Sequence, residues 1–387
     1  MSHLRLRITA AIVSLGAIGS IAHAQPVTPT FNDITLGIVA LDDGTTYELH
    51  TDIYLSPVAT GPRPIVIWIH GGGWSSGSYQ TLPSRARRLL DRGIHVAVAD
   101  YRLSWQAIFP AQIHDVKGLV RHLRANAATY QIDPDRIGAW GSSAGGHLTA
   151  LLANSGGIVE LEGASGGNAV FSSRIQVGVD YFGPTNLFTM NADATDPPGS
   201  SINHDAPNSP ESRLVGFNGQ GEGIGNLRDN IDNPSPPYPE KVNLVLLANT
   251  DSHATADDPP LLIAHGLNDT SVPFNQSVRL FDALEPVGVD VSLLPVPGAG
   301  HGDLGNATDE IAREYLVRRL VPRMPADMNC DGQVDGADLQ VFVLVLTQPN
   351  GYATAFPTCN VTNGDFTGDF EVDGADIAGF IQHFLAP

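Results

Sequence analysis

Cysteine is nearly missing from this chain, with two residues in 387, at positions 330 and 359. Two thiols cannot staple a polypeptide of this length, so a large domain must stand on its hydrophobic core. Basic side chains are also scarce, 21 Lys and Arg against 41 Asp and Glu. The resulting formal charge of −20 argues against nucleic acid and anionic membrane surfaces as partners. Beyond the first 24 residues no apolar run is long enough to span a bilayer, which excludes a membrane span in the rest of the chain. What is present is 42% apolar residues, enough for one large core and a small second unit.

The chain opens with MSHLRLRITAAIVSLGAIGSIAHAQP. Arg5 and Arg7 precede a short, glycine-punctuated apolar run that ends in Ala22-His23-Ala24, a small-x-small cleavage pattern. This predicts a secretory signal peptide over residues 1–24 and an exported protein, whether extracellular, surface-bound or periplasmic. An uncleaved anchor is the alternative, and the shortness of the run disfavours it. Cleavage removes two arginines and takes the charge from −20 to −22. Such a surface suits a secreted protein acting on neutral polymers.

Strand and helix patterns alternate along residues 25–322. FNDITLGIVA and YELHTDIYL flank an Asp-Gly turn and read as an antiparallel pair. The segments PIVIWIH, IHVAVADY, DRIGAW, RIQVGVDYF, PPLLIAHG and DVSLLPV read as strands. SRARRLLDRG, AQIHDVKGLVRHLRANAATY, AGGHLTALLA, residues 274–286 and DEIAREYLVRRL read as helices. Repeated βα units predict an α/β fold, a mostly parallel sheet with helices on both faces. Residues 190–258, rich in Pro, Gly, Asn and Asp, read as irregular. They form either a lid over the site, which we favour, or a surface excursion.

Between the strand RIGAW and the helix that follows lies Gly141-Ser142-Ser143-Ala144-Gly145, a G-x-S-x-G pentapeptide. A strand reversing tightly into a helix strains its central residue and needs neighbours without bulk, which points to Ser143 as a nucleophile and leaves Ser142 a weaker candidate. The motif alone is common by chance. Upstream, His70-Gly71-Gly72-Gly73-Trp74 follows the strand PIVIWI. Backbone N–H groups of Gly72, Gly73 and Ala144 would stabilise the oxyanion of acyl transfer. A phosphate-cradling loop is the rival reading, but the glycines fit neither G-x-G-x-x-G nor a Gly-Lys-Ser/Thr loop. An acid and a base are then needed in the order Ser, Asp, His. Asp269 and His301 each follow a strand end and supply them, with Asp303, His265 and His147 as weaker rivals. Trp74 either lines the pocket or simply packs.

These residues resemble the α/β-hydrolase superfamily, in particular the esterases with an HGGGW oxyanion loop, the BD-FAE-like acetyl- and feruloyl-esterase branch. The resemblance runs from about residue 35 to 320. It is carried by WIHGGGW, the stretch from YRLSWQAIFPAQIHDV to GSSAGGHL, SPESRLVG, ADDPPLLIAHGLNDTSVPFNQS and VPGAGHG. It implies a Ser143–Asp269–His301 carboxylesterase acting on short or aromatic acyl esters, often those decorating polysaccharides, with no cofactor for catalysis. The stretch at about 216–245 departs from the pattern and looks enlarged.

After LVPRMPA the composition changes, and residues 323–387 hold an internal repeat sharing Val-Asp-Gly-Ala-Asp. Asp327, Asn329, Asp331, Asp335 and Asp338 stand at positions 1, 3, 5, 9 and 12 of a calcium-type loop, with Gly332 at position 6. The carbonyl of Gln333 fills position 7. The second copy offers Asp365, Thr367, Asp369, Asp373 and Asp376, with the Glu371 carbonyl, and Phe370 in place of the glycine. The rival reading is a pair of solvated acidic turns. The repeats resemble type I dockerin modules, small helical calcium-binding units, which implies structural Ca²⁺ and a cohesin-like or cell-surface partner. Gly336-Ala337 and Gly374-Ala375 replace the hydroxyl residues often used for that docking. In an oxidising compartment Cys330 and Cys359 are expected to pair. Against the secreted esterase stand a peptidase on the same fold and an inert interaction protein working through its tail.

Overall fold

The computed structural model describes residues 27–58, 61–194, 198–369 and 371–385. The expected leader, residues 1–24, lies outside these, as does Phe370. Among the described residues no helix is long and apolar enough to cross a membrane.

Eight strands form one sheet: β1 (Phe31–Ala40), β2 (Thr46–Tyr54), β3 (Arg63–Ile69), β4 (His95–Ala99), β5 (Ile132–Ser142), β6 (Val177–Tyr181), β7 (Leu261–Gly266) and β8 (Val291–Val296). Their order is β1-β2-β4-β3-β5-β6-β7-β8. β1 and β2 pair antiparallel, as does β2 with β4, and every other neighbour is parallel. The expected α/β architecture is what these residues form. Alternation along each strand sends side chains to opposite faces. Ile65, Ile67, Ala97, Ala99, Ile137 and Ala139 enter one core. Val66, Trp68, Val96, Val98, Trp140 and Val179 enter the other.

Helices cover both faces. α1 (Ala111–Ala125) and α2 (Ala144–Asn154) bury Val116, Leu119, Leu148 and Leu151 in the first core. α6 (Asn306–Leu320) closes the second with Ala312, Leu316 and Leu320. Each fully buried aliphatic side chain contributes about 1.5–3 kcal/mol. α1 stops at Ala125, short of the expected Tyr130, because the chain turns at Asn126 to enter β5. The segment read as one helix over 84–93 is instead two short turns, Ser84–Arg87 and Leu90–Arg92. Gly93 closes the second at φ 72°.

Residues 190–258, expected to be irregular, hold short helices at Met190–Asp193, α3 (Pro210–Leu214) and Ile224–Asp229 and one longer helix, α4 (Tyr238–Ala248). Prolines stand in the first turns of α3 and α4. Pro210 occupies the first turn behind a Ser209 cap whose hydroxyl accepts from the Ser212 N–H. α4 sends Val242, Val245 and Ala248 into the first core, so the enlarged stretch is packed structure. α5 (Phe274–Leu284) follows β7.

Residues 326–384 share a separate apolar cluster built on Phe342, Phe380, Met328 and Tyr352. Two helices lead it, α7 (Gly336–Thr347) and α8 (Ile377–Phe384), and Cys330 is bonded to Cys359. Arg92 ties this unit to the sheet domain by donating to the Pro357 carbonyl at 2.8 Å.

Candidate active site

Strands β3 and β5 are parallel neighbours at the place where strand order reverses, where open α/β sheets leave a crevice at their carboxyl ends. Ile69 pairs with Gly141, so the glycine loop after β3 and the turn after β5 emerge side by side. A Cβ on Gly71 would meet the Ser142 carbonyl oxygen at 2.7 Å and Ser143 Cβ at 3.2 Å. The loop therefore lies against the serine.

Ser143 has φ 56° and ψ −124°, a strained conformation for a residue with a side chain. Its amide donates to the Tyr181 carbonyl at 2.8 Å, which anchors the turn. The crowding of glycines follows from close backbone approach. A Cβ on Gly141 would fall 2.0 Å from the Gly145 oxygen, and one on Gly145 would fall 2.1 Å from the Ile69 oxygen. Ala144 opens α2, so its N–H is among the four that a helix leaves without an internal acceptor.

His301 Nε2 lies 2.9 Å from Ser143 Oγ, and His301 Nδ1 lies 2.7 Å from Asp269 Oδ2. Nδ1 faces a carboxylate and so carries the proton. Nε2 is left with a lone pair for the serine hydroxyl. The structure thus brings together the three residues singled out in the sequence, from loops 126 and 32 residues apart. Asp269 Oδ1 accepts from the Ser271 and Val272 amides at 2.7 and 2.9 Å. Burial opposes ionisation of this carboxyl, but donors from His265 and His301 outweigh it and hold the group well below the usual carboxylate range.

The rivals take other places. Asp303 is exposed and accepts from the Gly305 amide. His147 is fully buried, accepts from Trp74 Nε1–H at 3.2 Å and faces the Ala248 carbonyl at 2.8 Å. Burial drives its pKa down to about 4, so it stays neutral. His265 proves to be a second neighbour of the acid. Its Nε2 sits 3.2 Å from Asp269 Oδ2 and 2.9 Å from the Val272 carbonyl, while the Ser277 hydroxyl donates to Nδ1 at 2.7 Å. That role was not legible beforehand, since only the fold shows which way a buried histidine faces. Phe182, also unread, packs its ring against that of His301, tilted by 57° with the centroids 4.7 Å apart.

The serine opens into a cavity of about 630 Å³, whose walls include Gly72, Gly73, Ala144, Trp74, His204 and Glu211. Trp74 is therefore both wall and buried packing. The candidate oxyanion donors Gly72, Gly73 and Ala144 all face this space. Gly72 and Gly73 hold φ of 111° and 57°, which a bulkier residue would adopt only with strain. Residues 190–258, expected as lid or excursion, supply one wall through Ile202, His204, Pro210 and Glu211.

In the C-terminal unit the two copies repeat one hydrogen-bond pattern. Asp338 accepts from the Met328, Asn329 and Asp335 amides, and Asp376 from those of Phe366, Thr367 and Asp373. Asp327 accepts from Asp331 and Gly332, Asp331 from Gln333, and Asp369 from Glu371. Thr367 reaches Asp365 through its hydroxyl, while Asn329 bonds Asp331 through its amide. Asp335 and Asp373 act as helix N-caps. Among the described residues no three His, Cys, Asp or Glu side chains converge as a ready metal cage. The donor set is nonetheless all oxygen. Burial raises the Asp327 carboxyl, with the charge of buried Asp338 adding to it, a repulsion that a hard cation would relieve. The loops fit calcium in donor chemistry.

The BD-FAE family model matches residues 51–284, over half of the chain. The chain belongs to the BD-FAE family. Its matched region is an α/β-hydrolase esterase domain. The fold is similar to a truncated form of a carbohydrate esterase from gut microbiota, at 28% identity and a TM-score of 0.62, covering 76% of this chain and 96% of that one. It is also similar to a bifunctional GH43-CE protein of Bacteroides eggerthii, at 31% identity and a TM-score of 0.59, covering 70% of this chain and 36% of that one. Carboxylesterase NlhH of Mycobacterium tuberculosis is 39% identical over 113 residues, 29% of this chain and 35% of its own length. The chain spans about half the length of the curated relatives it matches over most of its esterase domain.

Proposed function

We propose that this BD-FAE protein is a secreted carboxylic ester hydrolase that removes short or aromatic acyl groups, acetyl or feruloyl, from polysaccharides. The observation that carries the reading is the unbroken chain of hydrogen bonds from Ser143 through His301 to buried Asp269 at the wall of a cavity. His301 Nε2 takes the hydroxyl proton as Ser143 Oγ attacks the ester carbonyl. Negative charge gathers on the former carbonyl oxygen, where the N–H groups of Gly72, Gly73 and Ala144 receive it. The imidazolium, steadied by Asp269, then protonates the departing alcohol. Water repeats the cycle on the acyl-enzyme and frees the acid. The likeness to a carbohydrate esterase and to a bifunctional GH43-CE protein supports a carbohydrate ester. So do the leader pattern and the acidic composition. The test is release of acetate or ferulate from acylated xylan by the purified chain, with the Ser143→Ala protein as blank. Equal release by both would sink the proposal.

The C-terminal unit is proposed as a dockerin-like calcium-binding module. Asp327, Asn329, Asp331, Asp338 and the Gln333 carbonyl would hold one ion. Asp365, Thr367, Asp369, Asp376 and the Glu371 carbonyl would hold a second. Bound calcium would neutralise clustered carboxylates and fix the start of α7 and α8. Leu339 and Val343 on α7, and Ile377 and Ile381 at the matching places on α8, are exposed and support a docking face for a cohesin-like or cell-surface partner. Calcium at about 100 times its dissociation constant is expected to stabilise the unit by about 2.7 kcal/mol per ion bound. Scanning calorimetry of the full chain with CaCl₂ and with EDTA checks this, and identical traces would refute calcium binding.

A further inference from the structure

The oxyanion loop is gripped from two sides by segments that the catalytic chain does not use. On one side Leu103 to Gln106 form a closed turn: Leu103 N–H donates to Gln106 Oε1 at 2.8 Å, and Gln106 N–H to the Leu103 carbonyl at 2.7 Å. The Ser104 amide joins this turn to the Trp74 carbonyl at 2.7 Å. Trp105, at its tip, is 70% exposed, yet its Nε1–H donates to the Ser75 carbonyl at 3.2 Å. Ser75 itself lines the cavity beside Ser143. An indole tied by its only donor to a residue of the cavity wall presents a fixed face to solvent. A lone exposed apolar residue means little.

The other side of the loop packs against Pro210. Pro210 packs where a Cβ on Gly73 would stand, 3.4 Å away, and the next residue, Glu211, lines the same cavity. Glu211 is buried, and its Oε1 faces His204 Nδ1 at 3.0 Å. Its Oε2 is buried with no hydrogen-bond partner among the described residues. An unsatisfied buried carboxylate oxygen is costly unless a donor arrives with a ligand.

We infer that the cavity holds a pyranose subsite in which Trp105 stacks on the ring's C–H face and Glu211 Oε2 accepts from a ring hydroxyl. A sugar carries this combination, an apolar face and a rim of donors. A simple alkyl group, esterified through its one hydroxyl, carries only the first part and water only the second. His204, bonded to the Ser200 hydroxyl at 3.2 Å, holds the carboxylate in place. The inference rests on the ester-hydrolase reading only for which end of the substrate the sugar represents, namely its alcohol.

Two readouts test it on the full chain. Xylo-, manno- and galacto-tetrasaccharides are titrated by calorimetry into Ser143→Ala protein and into the same protein carrying Trp105→Ala or Glu211→Gln. At least one tetrasaccharide is expected to bind, and each added substitution to weaken it about tenfold or more. In the catalytically competent chain, Trp105→Ala is expected to lower the ratio of kcat/KM for acetylated oligosaccharide over that for ethyl acetate at least tenfold. Trp105→Phe recovers part of that loss. No binding by any tetrasaccharide, or a ratio kept within twofold, overturns the subsite. Binding through Trp105 by a chain that cleaves no ester leaves the subsite standing and defeats the hydrolase reading.

Discussion

Ser143→Ala is expected to lower ester turnover by roughly 10⁴-fold or more, with the thermal midpoint close to that of the parent chain. The hydroxyl is the only part of the site that forms a bond with the acyl group. Its loss leaves His301 with no proton to take at Nε2, where Ser143 Oγ now stands at 2.9 Å. Ser143 anchors the elbow through its backbone amide on Tyr181, and alanine keeps that bond. The remaining rate would come from the cavity and the N–H groups around it. Single-turnover and steady-state assays on nitrophenyl acetate measure the effect. A variant within a hundredfold of the parent would remove Ser143 from the chemistry.

Asp269→Asn is expected to reduce kcat about 10³- to 10⁴-fold while the fold persists. The hydrogen-bond pattern dictates how the amide must sit. Oδ1 receives the Ser271 and Val272 N–H groups at 2.7 and 2.9 Å, so the amide oxygen takes that place. The NH₂ group then faces His301 Nδ1 and His265 Nε2, where the carboxylate oxygen stood at 2.7 and 3.2 Å. A donor facing Nδ1 forces the imidazole proton onto Nε2. The nitrogen that must accept from Ser143 is then blocked. Measured kcat across pH, beside a melting curve, separates this from unfolding. A loss below tenfold would mean that Asp269 orients nothing of consequence.

The hydrogen-bonded trio Ser143, His301 and Asp269 was legible because each member follows a strand end in a short loop of small residues, a local pattern that survives without knowledge of packing. The Ser143 elbow and its glycines are local too, since the steric demand acts between residues four apart, as with Gly141 and Gly145. The contact of His265 with Asp269 was not legible, because a histidine four residues before an aspartate can point anywhere until β7 is buried. Residues 190–258 read as irregular because they show little periodicity and are rich in Gly, Asn, Asp and proline. At Pro210, behind the Ser209 cap, it begins a helix that carries Glu211 to the cavity.

By itself, the order of residues determined the alternation of strand and helix and the identity of Ser143, Asp269 and His301. It also determined the twofold repeat after residue 323, because short-range periodicity, sterics and loop chemistry are written between near neighbours. Tertiary structure alone decided that His265 backs Asp269, that His147 buttresses Trp74, and that Trp105 and Glu211 flank the same glycine loop. Those relations join residues from separate loops and helices. Only burial against a common core sets which way such side chains point.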